Sequence, residues 1–230
     1  MYNDAWGENG WSIIDYYLRR KPSYYNVKRG LSPRRLLIRR GGQVFGGRED
    51  EVLLLAINEC PEPLTGSCRF GYVSYDGQRR KLKKTRFHLA GRSQAIIARC
   101  QTPCEADLAV GTIVAVPEEG LGLAPASWLH CRFREANIPP ADVRVVSTRR
   151  RGQDLLVTVA SDTFAHAVHL NVDGDWRLSD HYFDLLPGEA RTIVIFGAAA
   201  GLDPNGLQAA SVTVKPSSPE RRATKSIPPS

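Results

Sequence analysis

At 230 residues the chain has room for one large domain or two of ordinary size, and 42% hydrophobic with 24% charged residues is the balance of a globular fold with a core. No window approaches the ~18 uncharged apolar residues of a membrane-spanning helix. The start carries Asp4 and Glu8 where a secretory leader would be basic and then apolar, so the composition points away from a membrane and, with Met1 as the start, toward the cytoplasm. The net charge of +7 is spread over short clusters such as Arg39-Arg40, Lys83-Lys84 and Arg149-Arg150-Arg151. They sit at the edges of apolar runs without any recognition helix or zinc-finger pattern, and read as solvated strand edges rather than as a nucleic-acid surface.

The first thirty-odd residues differ in texture from everything after them. Residues 1–3 read as the end of a short strand and residues 4–11 as a loop. Ser12 and Asp15 then form an S-x-x-D capping box, predicting a helix from Ser12 with Ile13, Ile14, Tyr17 and Leu18 on one apolar face. Pro22 cannot continue that helix but can open a second one, carrying Tyr24, Tyr25 and Val27, which Gly30 stops. A lone βα unit cannot bury its own faces, so this stretch reads as the torn edge of a larger domain.

From Leu36 the sequence becomes all-β, with short apolar runs separated by turn residues. Strands are predicted near 34–40, 51–58, 67–75, 80–89, 94–100, 109–116 and 128–134, with Asp76-Gly77 as the strongest hairpin signal. Ile138-Pro139-Pro140 separates a second run, with strands near 142–149, 154–161, 165–172, 175–179, 190–197 and 208–214. The expected organisation is mainly β. A βα segment over 1–32 precedes an immunoglobulin-like sandwich over 33–138, a smaller one over 139–215 and a disordered tail over 216–230.

Few side chains suggest chemistry. An odd count of five cysteines argues against a disulfide framework and for free thiols, although a Cys60–Cys68 bridge across an intervening turn is conceivable. His166 and His169 sit three apart on a strand, where side chains point to opposite faces, so no metal site is expected. Asp4 and Glu8 flank Trp6, which suits either a sugar site or a helix-entry loop favoured by the macrodipole. The string Ser179–Glu189 reads as a compact corner, with Asp180 and Asp184 closing turns, Phe183 and Leu185 inward and Pro187-Gly188 turning the chain.

Two separated stretches carry a resemblance. Asn3-Asp4-Ala5-Trp6, with Trp11 to Tyr17 and Lys21 to Arg29, resembles the end of the catalytic barrel of glycoside hydrolase family 2. The Ser179–Glu189 corner resembles the last domain of that family's β-mannosidase branch. The resemblance implies the eighth strand and helix of a (β/α)8 barrel followed by two sandwiches, in a retaining exo-acting enzyme that removes terminal β-D-mannosyl residues without a cofactor or metal. It further implies that both catalytic glutamates lie in the upstream barrel, the chain's missing partner, so that the chain alone is inactive. Trp6 matches the tryptophan of the family's N-D-x-W motif, facing the carbohydrate substrate, and Asn3 and Asp4 match the pocket rim; Ala5 and Gly7 stand where the familiar version has Cys and Pro. A second reading is a stand-alone carbohydrate-binding module built from the two sandwiches.

Overall fold

The computed structural model describes residues 12–42, 48–131, 133–174, 176–198 and 201–213. The expected strand at 1–3, the loop with Asn3, Asp4 and Trp6, the Gly46-Gly47 turn and the tail over 216–230 lie outside the described residues.

Helix α1 spans Pro22–Gly30, with proline in the first turn and Lys28 and Arg29 in the last, where the negative end of the dipole favours them. The helix expected from Ser12 does not form. Ser12 Oγ donates instead to the Ile14 carbonyl at 2.5 Å, and Asp15 accepts from the backbone and side chain of Arg19 at 2.9 and 2.7 Å. The capping acid is thus consumed by a tight turn, closed by an Ile14–Arg20 bridge and by Leu18 at φ 63. Lys21 precedes a proline and is held extended, which bars a continuous helix through it.

The first sandwich packs two antiparallel sheets. One is ordered β1–β2–β5, from Arg34–Arg40, Glu51–Asn58 and Ser93–Gln101. The other runs β4–β3–β6–β7, from Arg80–Leu89, Leu64–Ser74, Gly111–Pro117 and Ala126–Trp128. Between them Leu36, Ile38, Val52, Leu54, Phe70, Phe87 and Ile113 form a dry core. A short helix α2, Glu105–Ala109, fills the connection before β6 and was not expected. The strand expected over 128–134 is shorter and earlier, because the chain turns into a 3-10 helix at Phe133–Glu135.

The second sandwich has sheets β12–β9–β8 and β11–β10–β13. Their strands are β8 Val143–Arg151, β9 Asp154–Ser161, β10 Ala165–Asn171, β11 Phe183–Leu185, β12 Ala190–Ile195 and β13 Gln208–Ala210. Its core gathers Leu155, Val157, Val159, Val168, Phe183, Leu185, Ile193 and Ile195. The strand expected at 175–179 is only a bridge between Leu178 and Ile195; pairing with β10 falls instead to Phe183–Leu185 within the corner.

The two sandwiches touch through a third apolar cluster of Val73, Tyr75, Val114, Phe164 and Leu186. The Tyr75 and Phe164 rings lie 5.1 Å apart, and the Phe164 N–H donates to the Tyr75 carbonyl at 2.8 Å. The Asp76-Gly77 hairpin forms as expected, with its tip against the second sandwich: a Cβ on Gly77, at φ +75, would lie 2.7 Å from Pro187 Cβ. All five cysteines are free, so Cys60 and Cys68 are not joined.

Candidate functional site: the junction at the Ser179–Glu189 corner

Helix α1, the first sandwich and the second sandwich converge on the Ser179–Glu189 corner. Phe183 and Leu185 point into the core as expected, and Gly188 adopts φ +67 after Pro187. Asp180 closes a local turn by accepting from its neighbour's N–H, at 2.8 Å from His181 N, and also sits between two guanidinium groups. Arg29 of α1 donates to it at 2.5 Å and Arg191 of β12 at 2.5 Å. Arg29 reaches further, to the carbonyls of His181 and Tyr182 at 3.1 and 3.0 Å, while Lys28 donates to the Ser179 carbonyl at 2.6 Å. Charge-assisted bonds of this length are the strong ones, so the last turn of α1 is locked onto the second sandwich.

Asp184 does a different task from the turn closure expected of it. It accepts from Ser127 Oγ of β7 at 2.5 Å, from His166 Nδ1 at 2.7 Å and from the Ala167 N–H at 3.4 Å. Burial pushes its carboxyl up, but the His166 and Ser127 bonds outweigh this and hold it below the usual carboxylate range. The bond to Asp184 raises His166 in turn. His166 therefore steadies, from β10, the Asp184 carboxylate that in turn reaches Ser127 of the first sandwich.

His181 is neutral for a clear reason. Burial, with His169 nearby, pushes it down to about 4, and its Nε2 accepts the Leu170 N–H at 2.8 Å. Tyr25, 2% exposed, packs its ring 5.5 Å from His181, and burial pushes its phenol up to about 12. Tyr182 sits at φ 52 and Ala167 at φ 51, in the left-handed region that costs a non-glycine residue about 1–2 kcal/mol. The Tyr182 carbonyl that this exposes is the one Arg29 takes, and its ring stacks on His169 at 5.3 Å. From the other side Arg80 donates to the Pro187 carbonyl, and Arg69 pairs with Glu189 at 2.9 Å.

A cleft of about 350 Å³ remains at the junction, lined by Asn26, Arg29, Arg34, Arg35, His166 and Asp184 among others. Its chemistry is that of a clasp. A retaining glycosidase places two working carboxylates ~5–5.5 Å apart across a bond. Here each aspartate is saturated by cations and hydrogen-bond donors, leaving neither oxygen pair available as nucleophile or base. Among the described residues no group of three or more His, Cys, Asp or Glu gathers as a metal site. Asn3, Asp4 and Trp6 lie outside the described residues. Of the corner's partners, Arg191 and Ser127 carried no sequence signal, His166 stood out only as a candidate metal ligand, and Arg29 only as part of the Lys21 to Arg29 stretch. The corner itself was marked by the pair of acids flanking inward apolar residues.

Comparisons with known proteins agree with this architecture. A family model described as an Ig-fold domain, that of mannosidases, matches residues 138–215. Beta-mannosidase B of Aspergillus terreus is 26% identical over 223 residues, covering 88% of this chain and 25% of that protein. Beta-mannosidase B of Aspergillus niger is 24% identical over 217 residues, covering 86% and 25%. The chain thus spans about a quarter of the length of these curated relatives. Among solved structures, β-D-mannosidase from Dictyoglomus thermophilum superposes with a TM-score of 0.76 at 22% identity, over 93% of this chain and 26% of that one. Exo-chitosanase from Amycolatopsis orientalis gives 0.60 at 14% identity, over 93% and 29%. Residues 138–215 are an Ig-fold domain of the mannosidase kind, and the chain is β-mannosidase-like in the manner of the C-terminal portion of glycoside hydrolase family 2 enzymes.

Proposed function

We propose that this chain serves a retaining, exo-acting β-mannosidase as its C-terminal support, bracing a catalytic barrel that supplies both glutamates and cleaves terminal β-D-mannosyl residues. The observation that carries this reading is the clamp on α1. By resemblance α1 closes the barrel, and Arg29 ties it to Asp180 of the second sandwich. The same segment presents Tyr17, Leu18 and Leu31 at 65%, 65% and 74% exposure, apolar surface that a barrel would cover. In this reading Trp6 forms one wall of the sugar pocket, with Asn3 and Asp4 at its rim, and neither cofactor nor metal takes part.

The test is a chromogenic β-mannoside assay on the purified 230-residue chain and on the same chain joined to its upstream barrel. Activity is expected only with the barrel present, and Trp6→Ala in that longer protein is expected to raise KM for the mannoside. Turnover by the 230-residue chain alone would overturn the assignment of the catalytic glutamates to the barrel.

A further inference from the structure

At the junction the aspartates are satisfied and the cations are not. A guanidinium carries five N–H donors in a planar fork. Arg29 spends four of them, on Asp180, Asn26 and the His181 and Tyr182 carbonyls. Among the described residues Arg191 spends one, on Asp180 at 2.5 Å, and Arg34 one, on Asn58 Oδ1 at 3.3 Å. His166 gives Nδ1 to Asp184 and leaves Nε2 without a bond.

Charge follows the same pattern. Arg29, Arg34, Arg35, Arg191 and His166 all line the cleft of about 350 Å³, and Asp184 is the one carboxylate among the lining residues. Its oxygens are already covered by Ser127 Oγ and His166 Nδ1. Just outside the cleft, Glu59 holds Arg35 and Asp180 is shared by Arg29 and Arg191. With His166 protonated, as its bond to Asp184 favours, five positive groups meet three negative ones. The surplus of two falls on Arg34 and on the Arg29–Arg191 pair.

Both arginines with spare donors sit where an apolar strand face ends. Arg34 shares its face of β1 with Leu36 and Ile38, and Arg191 shares its face of β12 with Ile193 and Ile195, all four core residues. Arg191 is further held flat, its guanidinium 4.3 Å from the Phe183 ring centroid. They are shielded without being sealed: Arg191 is 20% and His166 32% exposed, and Arg34 is half-buried. None of the three has a nitrogen that is both buried and unpartnered, so their spare donors are reachable from the cleft that they share.

We propose that this cleft binds a tetrahedral oxyanion of the phosphate class, held by Arg34 and Arg191 with His166 Nε2 as the third donor. Ordered waters would meet the spare donors but not the surplus charge, whereas a dianion meets both. The forks of two guanidinium groups suit the edges of a tetrahedral anion, which offers a pair of oxygens to each.

The experiment is calorimetric titration of the 230-residue chain with inorganic phosphate at pH 7, with chloride keeping the ionic strength constant. Saturable one-to-one binding is expected, weakened about tenfold in Arg34→Gln. That variant should melt like the parent, because Asn58 keeps its amide bonds to the Glu62 and Ala90 carbonyls. Arg191→Lys, which leaves a cation for Asp180 but removes the fork, should weaken binding as well. Arg149→Gln, at an exposed arginine on β8, should not. Phenyl phosphate separates two sources of the same head group. Tighter binding than inorganic phosphate assigns the site to a phosphomonoester whose organic part lies on Pro22 and Pro125, and weaker binding to the free anion. Absence of saturable binding, parent affinity in Arg34→Gln, or an equal loss in Arg149→Gln would overturn the proposal and leave the arginines as parts of the clasp alone.

Discussion

Arg29 and Asp180 are 151 residues apart in the chain and 2.5 Å apart in space. Both side chains are mostly shielded, and Asp180 shares its other oxygen with Arg191. A carboxylate between two guanidinium groups offsets two charges at once, so removing it strands both. Asp180→Asn is expected to destabilise the chain by about 2–3 kcal/mol. A double-mutant cycle with Arg29→Met, followed by urea unfolding, should give a coupling of about 1–2 kcal/mol. Additive effects would show that α1 is held by something other than this pair.

The hairpin tip offers a test of how tightly the sandwiches dock. Gly77→Ala suffers twice, from its positive φ and from Pro187 at 2.7 Å. Gly152, at φ +60 with open space around it, suffers only the first. The expected losses are about 2 and about 1 kcal/mol. Equal losses would mean that the tip yields freely and carries no docking energy.

Much of the strand pattern was legible, and the reason lies in particular residues. Arg34–Arg40, Glu51–Asn58 and Asp154–Ser161 form at the expected bounds because an apolar run meets a turn residue at each end, and Arg80–Leu89 because it follows the Asp76-Gly77 hairpin. The helix from Ser12 failed because a local bond, Asp15 to Arg19, competed for the same capping acid. The strand at 183–185 was hidden because it is three residues long and follows Tyr182 in a left-handed conformation. The corner's geometry was readable, but its partners were not. Ser127 lies 57 residues from Asp184, and nothing local in either neighbourhood announces the pair.

Tyr75 makes a prediction of opposite sign to most core changes. Its hydroxyl is buried without a partner, and burial pushes its phenol well above the ordinary tyrosine value. Tyr75→Phe removes a desolvated group that earns no bond, and should be neutral or stabilising by up to about 1 kcal/mol. Tyr72 is the control, since its hydroxyl donates to the Asp107 carbonyl at 2.9 Å and accepts from Arg79 at 3.3 Å. Tyr72→Phe should cost about 1 kcal/mol in the same thermal melts. A clear loss for Tyr75→Phe would mean that its hydroxyl is satisfied in solution.

Two histidines at the corner should give the stability profile two limbs. His166 is raised above 6.5 by Asp184, so it binds its proton more tightly folded than unfolded. Its contribution is complete below about pH 6.5 and fades as pH climbs through the raised value. His181 is lowered from 6.5 to about 4, chiefly by burial, with His169 adding to the shift and Asp180 opposing it. Its contribution is present above pH 6.5 and is lost as pH falls toward 4, where the buried ring must take a proton that the Leu170 N–H opposes. Stability should therefore decline on both sides of about pH 6.5, measured as the urea midpoint from pH 4 to 9. His166→Gln should flatten the alkaline side. His181→Gln, whose carbonyl can still accept from Leu170, should flatten the acid side down to the range where carboxylates titrate. An acid limb that survives His181→Gln unchanged would place the proton uptake elsewhere and refute the neutral-histidine assignment.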